Sequence, residues 1–392
     1  MQRTTGKGRL CRFAAACLTV LCLFAPALPS AAEEEEDEIP FLYAFGVDEV
    51  IRGMTLHEKV CQLFIVAPEQ ICRLPRVSSA DEEFLQALER WPVGGIILFN
   101  KNIEKDGIKE LTAAMKKTSL ENGIGLFIGV DEEGGTVSRL AYKLSLPERQ
   151  PAPADIPTAE DAYESARIIG KYLQEYGFNL NFAPVADVRM DVPAPEITDR
   201  SYGSDPQDVA AKVVRFVDAM HEYRIIPVLK HFPGHGAVSG DTHAGAGISR
   251  RTPDDWRLAE FIPFEAGIGA DAEMVLLSHQ IVLSLDRETP ASLSPEVVSI
   301  LRDELGFEGV VVTDALRMKA VHEKYGSREA CVLALEAGAD MLLLPYNFTN
   351  AYEAVMEAVE SGRLTEDRID ESLRRILLLK VSYGLLPAVA DP

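Results

Sequence analysis

Residues 309–314 read GVVVTD. Three β-branched valines in a row, closed by a threonine and a charged residue, describe a strand buried on both faces that ends at a polar rim. With this run, taken as Gly309–Thr313, seven others share the pattern: Cys61–Val66, Gly94–Phe99, Gly125–Val130, Asn179–Pro184, Ile226–Lys230, Met274–Ser278 and Asp340–Leu344. Each is a short stretch rich in Val, Ile, Leu or Phe that stops at a polar residue or a turn. Between them lie helical patterns, among them Ala159–Tyr176, Pro206–Tyr223, Ser294–Leu305 and Ser327–Ala337, with a last helix at Thr365–Tyr383. Ser294 before Pro295 and Glu296, and Ser327 before Arg328 and Glu329, read as helix caps. The alternation predicts the α/β class and, with eight strands, a single-domain (β/α)8 TIM barrel. An open doubly wound sheet is the alternative. It usually carries a Gly-rich phosphate fingerprint after its first strand, and no G-x-G-x-x-G or P-loop follows a strand here. No cofactor is expected.

The 392 residues are 47% apolar and 26% charged, ordinary for a soluble globular chain. The N-terminus is a different object. Arg3, Lys7, Arg9 and Arg12 precede the apolar run Phe13–Leu28, and Ser30-Ala31-Ala32 follow. That order predicts a signal peptide over 1–32 and export from the cytoplasm to a periplasmic or extracellular site. An uncleaved anchor is the other reading. Residues 33–44, opening with Glu33–Glu38, are expected to be a solvated acidic leader, and 45–386 the barrel. No second folded domain is expected after the last strand. The net charge of −22 becomes four units more negative once the basic leader is lost. Such a surface repels nucleic acid and anionic lipid, so neither is expected as a partner. Cys61, Cys72 and Cys331 remain after cleavage; their spacing suits no zinc site, and a Cys61–Cys72 bridge or three buried thiols both stay open.

In a barrel the chemistry lies where strands end. Those ends are polar: Asp131-Glu132-Glu133 with Arg139 beyond, Asp187, Lys230-His231, Ser278-His279 and Asp314. A carboxylate placed by a rigid strand, as Asp314 would be, can attack an anomeric carbon, or can cap the helix that follows. Asp241 and His243 stand two apart in a Gly-rich loop. A carboxylate there can fix one imidazole nitrogen and free the other for proton transfer, or the loop can simply be solvated. Lys230 can form a Schiff base or donate hydrogen bonds to hydroxyls, and the second fits better, since nothing else points to carbonyl chemistry. His231, His235, Asp241 and His243 match no standard metal spacing, so no metal site is expected.

Together these segments resemble glycoside hydrolase family 3, in particular its single-domain β-N-acetylhexosaminidases. The signature is Lys230–His243, KHFPGHGAVSGDTH, supported by MTLHEKV at 54–60, GGIILF at 94–99, DEEGG at 131–135, RSYG at 200–203 and VTDAL at 312–316. The resemblance spans about Phe45–Leu386. It implies a retaining exo-glycosidase that removes terminal β-linked N-acetylhexosamine from peptidoglycan or chitin-type fragments. Asp314 would be the nucleophile, and His243, positioned by Asp241, the acid/base. Asp131, Arg139, Arg200, Lys230 and His231 would bind the terminal sugar. A β-glucosidase, an N-acetylglucosaminide phosphorylase and a catalytically silent sugar-binding protein are the competing functions. One departure is local: the family commonly follows the loop histidine with Leu-Pro, where this chain has Ala244-Gly245-Ala246-Gly247.

Overall fold

The computed structural model describes residues 46–386, apart from 192, 193, 195 and 239–246. The signal and leader segments, Asp241, His243 and Ala244–Ala246 lie outside the described residues. Eight parallel strands form one sheet: β1 (Phe64–Val66), β2 (Gly95–Ile97), β3 (Phe127–Val130), β4 (Leu180–Asn181), β5 (Ile226–Phe232), β6 (Met274–Leu277), β7 (Val310–Thr313) and β8 (Leu342–Leu343). Their order is β7-β6-β5-β4-β3-β2-β1-β8. A parallel bridge between Val312 and Met341 sets β7 against β8 and closes the ring. This is the expected (β/α)8 barrel.

Helices wrap the outside: α1 (Glu82–Arg90), α2 (Ile108–Glu121), α3 (Ala159–Glu175), α4 (Pro206–Glu222), α5 (Phe261–Gly269), α6 (Pro295–Ser299), α7 (Lys319–Ala337), α8 (Phe348–Glu360) and α9 (Glu366–Ser382). The α4 helix shows how local rules and packing agree. Asp205 accepts hydrogen bonds from the Gln207 and Asp208 N–H groups, and Pro206 takes the first helical position, where it loses nothing. Val209, Val213, Phe216, Val217 and Met220 then recur at helical spacing and are buried. Each such side chain contributes on the order of 1.5–3 kcal/mol through burial.

Three boundaries differ from the sequence reading. Cys61 and Gln62 close a helix, Leu56–Gln62, rather than open β1, because Thr55 and Glu58 form a reciprocal capping box that commits the segment to helix. The expected cap serines bond elsewhere. Ser294 Oγ donates to Glu296 Oε2 (2.9 Å), and Ser327 Oγ donates to the Asn347 carbonyl (2.8 Å). The helix ahead of Ser327 begins at Lys319 and breaks at Gly326, whose φ of 66° only glycine adopts readily. Cys61, Cys72 and Cys331 are free thiols, the first and last buried.

Charges tie the seam at the N-terminal end of the barrel. Buried Asp340, just before β8, accepts from Arg302 Nη2 (2.6 Å) and the Val311 N–H (2.9 Å) through Oδ2. Its Oδ1 accepts from Ser372 Oγ (2.7 Å) and Arg375 Nη1 (3.1 Å). One carboxylate thus joins β7, β8 and α9 on the face opposite the strand ends.

Candidate active site

The segment after β3 turns back as a hairpin, Glu132–Gly134 against Val137–Ser138. Period-2 alternation sends its three acidic residues two ways. Glu132 faces the protein. It accepts from Ser138 Oγ, from the Leu140 N–H (2.7 Å) and from the Tyr172 hydroxyl (2.9 Å), which fastens the hairpin down. Asp131 and Glu133, on the other side, face Lys230 at the end of β5. Gly134 (φ 97°) makes the turn possible, and a Cβ there would also overlap the Pro151 carbonyl oxygen.

Lys230 Nζ lies 3.1 Å from Asp131 Oδ1 and 2.6 Å from Glu133 Oε1. Glu133 is held from its other side by Arg200, with Nε to Oε2 at 2.7 Å and Nη2 to Oε1 at 2.8 Å. The result is an alternating chain Asp131–Lys230–Glu133–Arg200. The side chains of Lys230 and Glu133 are 3% and 1% exposed, so this pairing is desolvated. Burial alone would raise the Glu133 carboxyl, but Arg200 and Lys230 overcome it and hold the group ionised far below the usual carboxylate range. Arg200 is affected in the opposite sense: burial opposes its charge, and Glu133 more than restores it.

His231, adjacent to Lys230, also reaches the site. Neighbouring residues of a regular strand point to opposite faces, but the register shifts between Lys230 and Phe232, as at a β-bulge, which re-aims a side chain. His231 Nδ1 donates to Asp187 Oδ2 (2.7 Å). That fixes the tautomer and leaves Nε2 as an acceptor, 3.3 Å from Arg200 Nη2. Asp187 is fully buried. Its Oδ1 also accepts from the backbone N–H groups of His231 (3.2 Å) and His235 (2.6 Å), so one carboxylate organises the start of the signature segment. Burial opposes its charge, and His231 outweighs burial, holding Asp187 below the ordinary range. A Cβ on Gly236 would overlap the Val188 carbonyl oxygen, so this turn requires glycine. His235 is held neutral, its pKa pushed down to about 4 by burial and then by His231.

Asp314 stands at the C-terminal end of β7. Its N–H donates to the Leu277 carbonyl (2.8 Å) and its Oδ1 accepts from the Ala315 N–H (2.7 Å). One carboxylate oxygen is therefore fixed, and Oδ2 accepts no hydrogen bond among the described residues. Burial works against its ionisation. The imidazoles of His279 and His231, the Ala315 N–H and Lys230 outweigh it, and the carboxyl lies below its usual range. His279 is buried and kept neutral, with Nε2 donating to the Ala315 carbonyl (3.0 Å) and Nδ1 accepting from Ser292 Oγ (2.7 Å).

Of the residues singled out in the sequence, Asp131, Arg200, Lys230 and His231 form one hydrogen-bonded network, and Asp314 shares their electrostatic field. Arg139 is joined to Asp131 through its backbone N–H (3.3 Å), and its guanidinium enters none of these pairs. Its buried Nε has no hydrogen-bond partner among the described residues. Asp241 and His243 lie outside them. Glu133, Asp187 and His279 were visible as polar strand ends without a role; their positions in a list of strand-end residues were the available signal.

Fold and rim together define a (β/α)8 barrel with an ionised strand-end carboxylate beside a wall of alternating charge. The chain belongs to glycosyl hydrolase family 3: the profile of the family's N terminal domain matches residues 55–379. Among curated relatives, Beta-hexosaminidase A of Pseudoalteromonas piscicida is 30% identical over 342 residues, covering 80% of this chain and 57% of that protein. Beta-hexosaminidase of Stenotrophomonas maltophilia (strain K279a) is 36% identical over 265 residues, 66% of this chain and 77% of that one. A family 3 beta-N-acetylglucosaminidase from Paenibacillus sp. str. FPU-7 superposes with a TM-score of 0.76 at 33% identity, covering 85% of this chain and 63% of its own. M tuberculosis LpqI gives 0.75 at 30%, with 85% and 96% covered. The chain thus spans less than two thirds of the Pseudoalteromonas and Paenibacillus proteins.

Proposed function

We propose that the protein is a retaining exo-glycosidase that releases terminal β-linked N-acetylhexosamine. The carrying observation is the ionised Asp314, with one oxygen fixed by Ala315 and the other without a hydrogen bond among the described residues, in the field of the Asp131–Lys230–Glu133–Arg200 wall. The names of the relatives support the amino-sugar reading. Such a wall offers both acceptors and donors to sugar hydroxyls. In the first step Asp314 Oδ2 bonds to the anomeric carbon as the glycosidic C–O bond breaks, and His243, positioned by Asp241, gives its proton to the leaving oxygen. In the second step His243 takes a proton from water, whose oxygen displaces Asp314 and restores the β configuration. The basic-apolar-small order of residues 1–32 supports export, and with it substrates from peptidoglycan or chitin-type polymers.

Asp314→Asn keeps the shape and removes the charge. It is expected to lower kcat on an aryl N-acetyl-β-glucosaminide by at least about 10³-fold, the scale of losing a covalent nucleophile, in a variant that circular dichroism shows to be folded. Normal turnover by this variant would refute the assignment. The aryl glucoside is expected to be turned over poorly, and preference for it would favour the glucosidase reading.

A further inference from the structure

We infer that Glu196 is a specificity residue that takes a free amine on C2 of the terminal sugar. It extends the substrates to terminal 2-amino-2-deoxy sugars that carry no acetyl group. The inference rests on the glycosidase reading and adds this substrate class to it. Glu196 lies in the loop between β4 and α4, four residues ahead of Arg200. Neither of its buried carboxyl oxygens has a hydrogen-bond partner among the described residues. Taking an acidic side chain out of water without giving it donors costs stability, so such a group marks an unfilled acceptor site rather than a folding contact.

Direct contacts place Glu196 in the site. Its backbone carbonyl accepts from Arg200 Nη1 (3.2 Å), part of the guanidinium that also grips Glu133. Its Oε1 lies 3.7 Å from His235 Nδ1, too far for a hydrogen bond. The His235 ring meets the His231 ring edge to face, with centroids 5.7 Å apart, and His231 Nε2 is 3.3 Å from Arg200 Nη2. At 13% exposure the Glu196 side chain is about as enclosed as that of His231, at 10%, which is itself expected to hold the sugar. The loop is fixed from behind. The N–H groups of Arg200 (2.9 Å) and Ser201 (2.8 Å) donate to the Ile197 carbonyl, and Ser201 Oγ donates to the Asp187 carbonyl (2.7 Å).

Position and charge select the ligand. His231 and His235 both lie in the field of Asp314, so Glu196 flanks the end of the wall that faces the anomeric carbon. The ring carbon bonded to the anomeric carbon is C2, and its nitrogen defines an amino sugar. The Asp131–Lys230–Glu133–Arg200 wall is balanced in charge, whereas Asp187, Asp314 and Glu196 add only acidic groups. A site of that sign favours a cation. The need is sharpest in the transition state. An ammonium on C2 opposes the positive charge that develops at C1, and a carboxylate beside it offsets that opposition. An acetamide carries no charge and gains nothing of the kind.

The test measures kcat/KM for the p-nitrophenyl β-glycosides of glucosamine and of N-acetylglucosamine, at a pH where the amine is protonated. Wild type is expected to cleave both. Glu196→Gln keeps the shape and removes the charge, and is expected to lower the amine-to-acetamide ratio of kcat/KM by about tenfold or more. A purely structural role would lower both substrates together. An unchanged ratio in Glu196→Gln therefore overturns the inference, as does a wild type that cleaves the acetamide alone; both leave the glycosidase reading intact. A wild type that cleaves neither glycoside overturns the glycosidase reading instead.

Discussion

Glu133 holds Lys230 and Arg200 within reach of each other, two cations that would otherwise repel. Replacing it with glutamine keeps the volume and removes the charge they share. Breaking a buried ion pair from one side costs on the order of 3–5 kcal/mol, because the remaining charges lose their counter-ion. Glu133→Gln is therefore expected to lower the denaturant midpoint and to raise KM for N-acetyl-β-glucosaminides more than it lowers kcat. The pH dependence carries a sign. The folded carboxyl titrates far below an unfolded glutamate at about 4.3, so its contribution is complete above that value and is lost as pH falls toward the folded value. The stability gap between wild type and Glu133→Gln should stay constant from pH 7 to 5 and narrow below about 4.3. A gap already shrinking at pH 6 would point to another group.

Among the elements, the seam between β7 and β8 rests on little regular pairing: β8 has two residues, and the ring closes there through the Val312–Met341 bridge. Asp340 compensates from the far end of the barrel by joining Arg302, Arg375, Ser372 and the Val311 N–H. Asp340→Asn is expected to cost roughly 2–4 kcal/mol, less than a fully buried pair because its arginines keep partial access to water. Since this cluster lies at the end of the barrel away from the rim, kcat/KM at a temperature well below unfolding should stay within about twofold of wild type. A large loss of activity without a loss of melting temperature would contradict that separation. The seam also marks where the sequence was legible. Runs such as Val310-Val311-Val312 announce buried strands by composition, and the polar residue after each run marks the rim. Local competition was harder to read: the Thr55–Glu58 box turned Cys61 into helix, and Ser327 bonded to Asn347 instead of capping its own helix. Roles set by pairing were not legible. Glu133 meets Arg200 sixty-seven positions away and Asp187 meets His231 forty-four away, and only the closed barrel brings them together.

For the molecule as a whole, acid acts through two opposed sets of groups. Buried His235 and His279 are held neutral, with folded pKa values below the usual 6.5. An unfolded chain takes up protons on them first, so the stability tied to their neutral forms is complete above about pH 6.5 and is lost as pH falls toward the folded values, about 4 for His235. His221 runs the other way. Its hydrogen bond to Glu273 raises its pKa, so it adds stability below about 6.5 that disappears as pH rises through the folded value. The net charge of −22 also favours mild acid, because approaching the isoelectric point near 4.8 relieves self-repulsion. The surface effect is screened by salt, with a Debye length of about 3 Å at 1 M, whereas the buried imidazoles are not. The urea midpoint is therefore expected to fall between pH 7 and pH 5, and to fall more steeply in 1 M NaCl, where the relief of repulsion is absent. Replacing His235 with asparagine should flatten that fall, and replacing His221 with asparagine should deepen it. Midpoints that rise from pH 7 to 5 at high salt would show that the buried imidazoles do not control the acid limb.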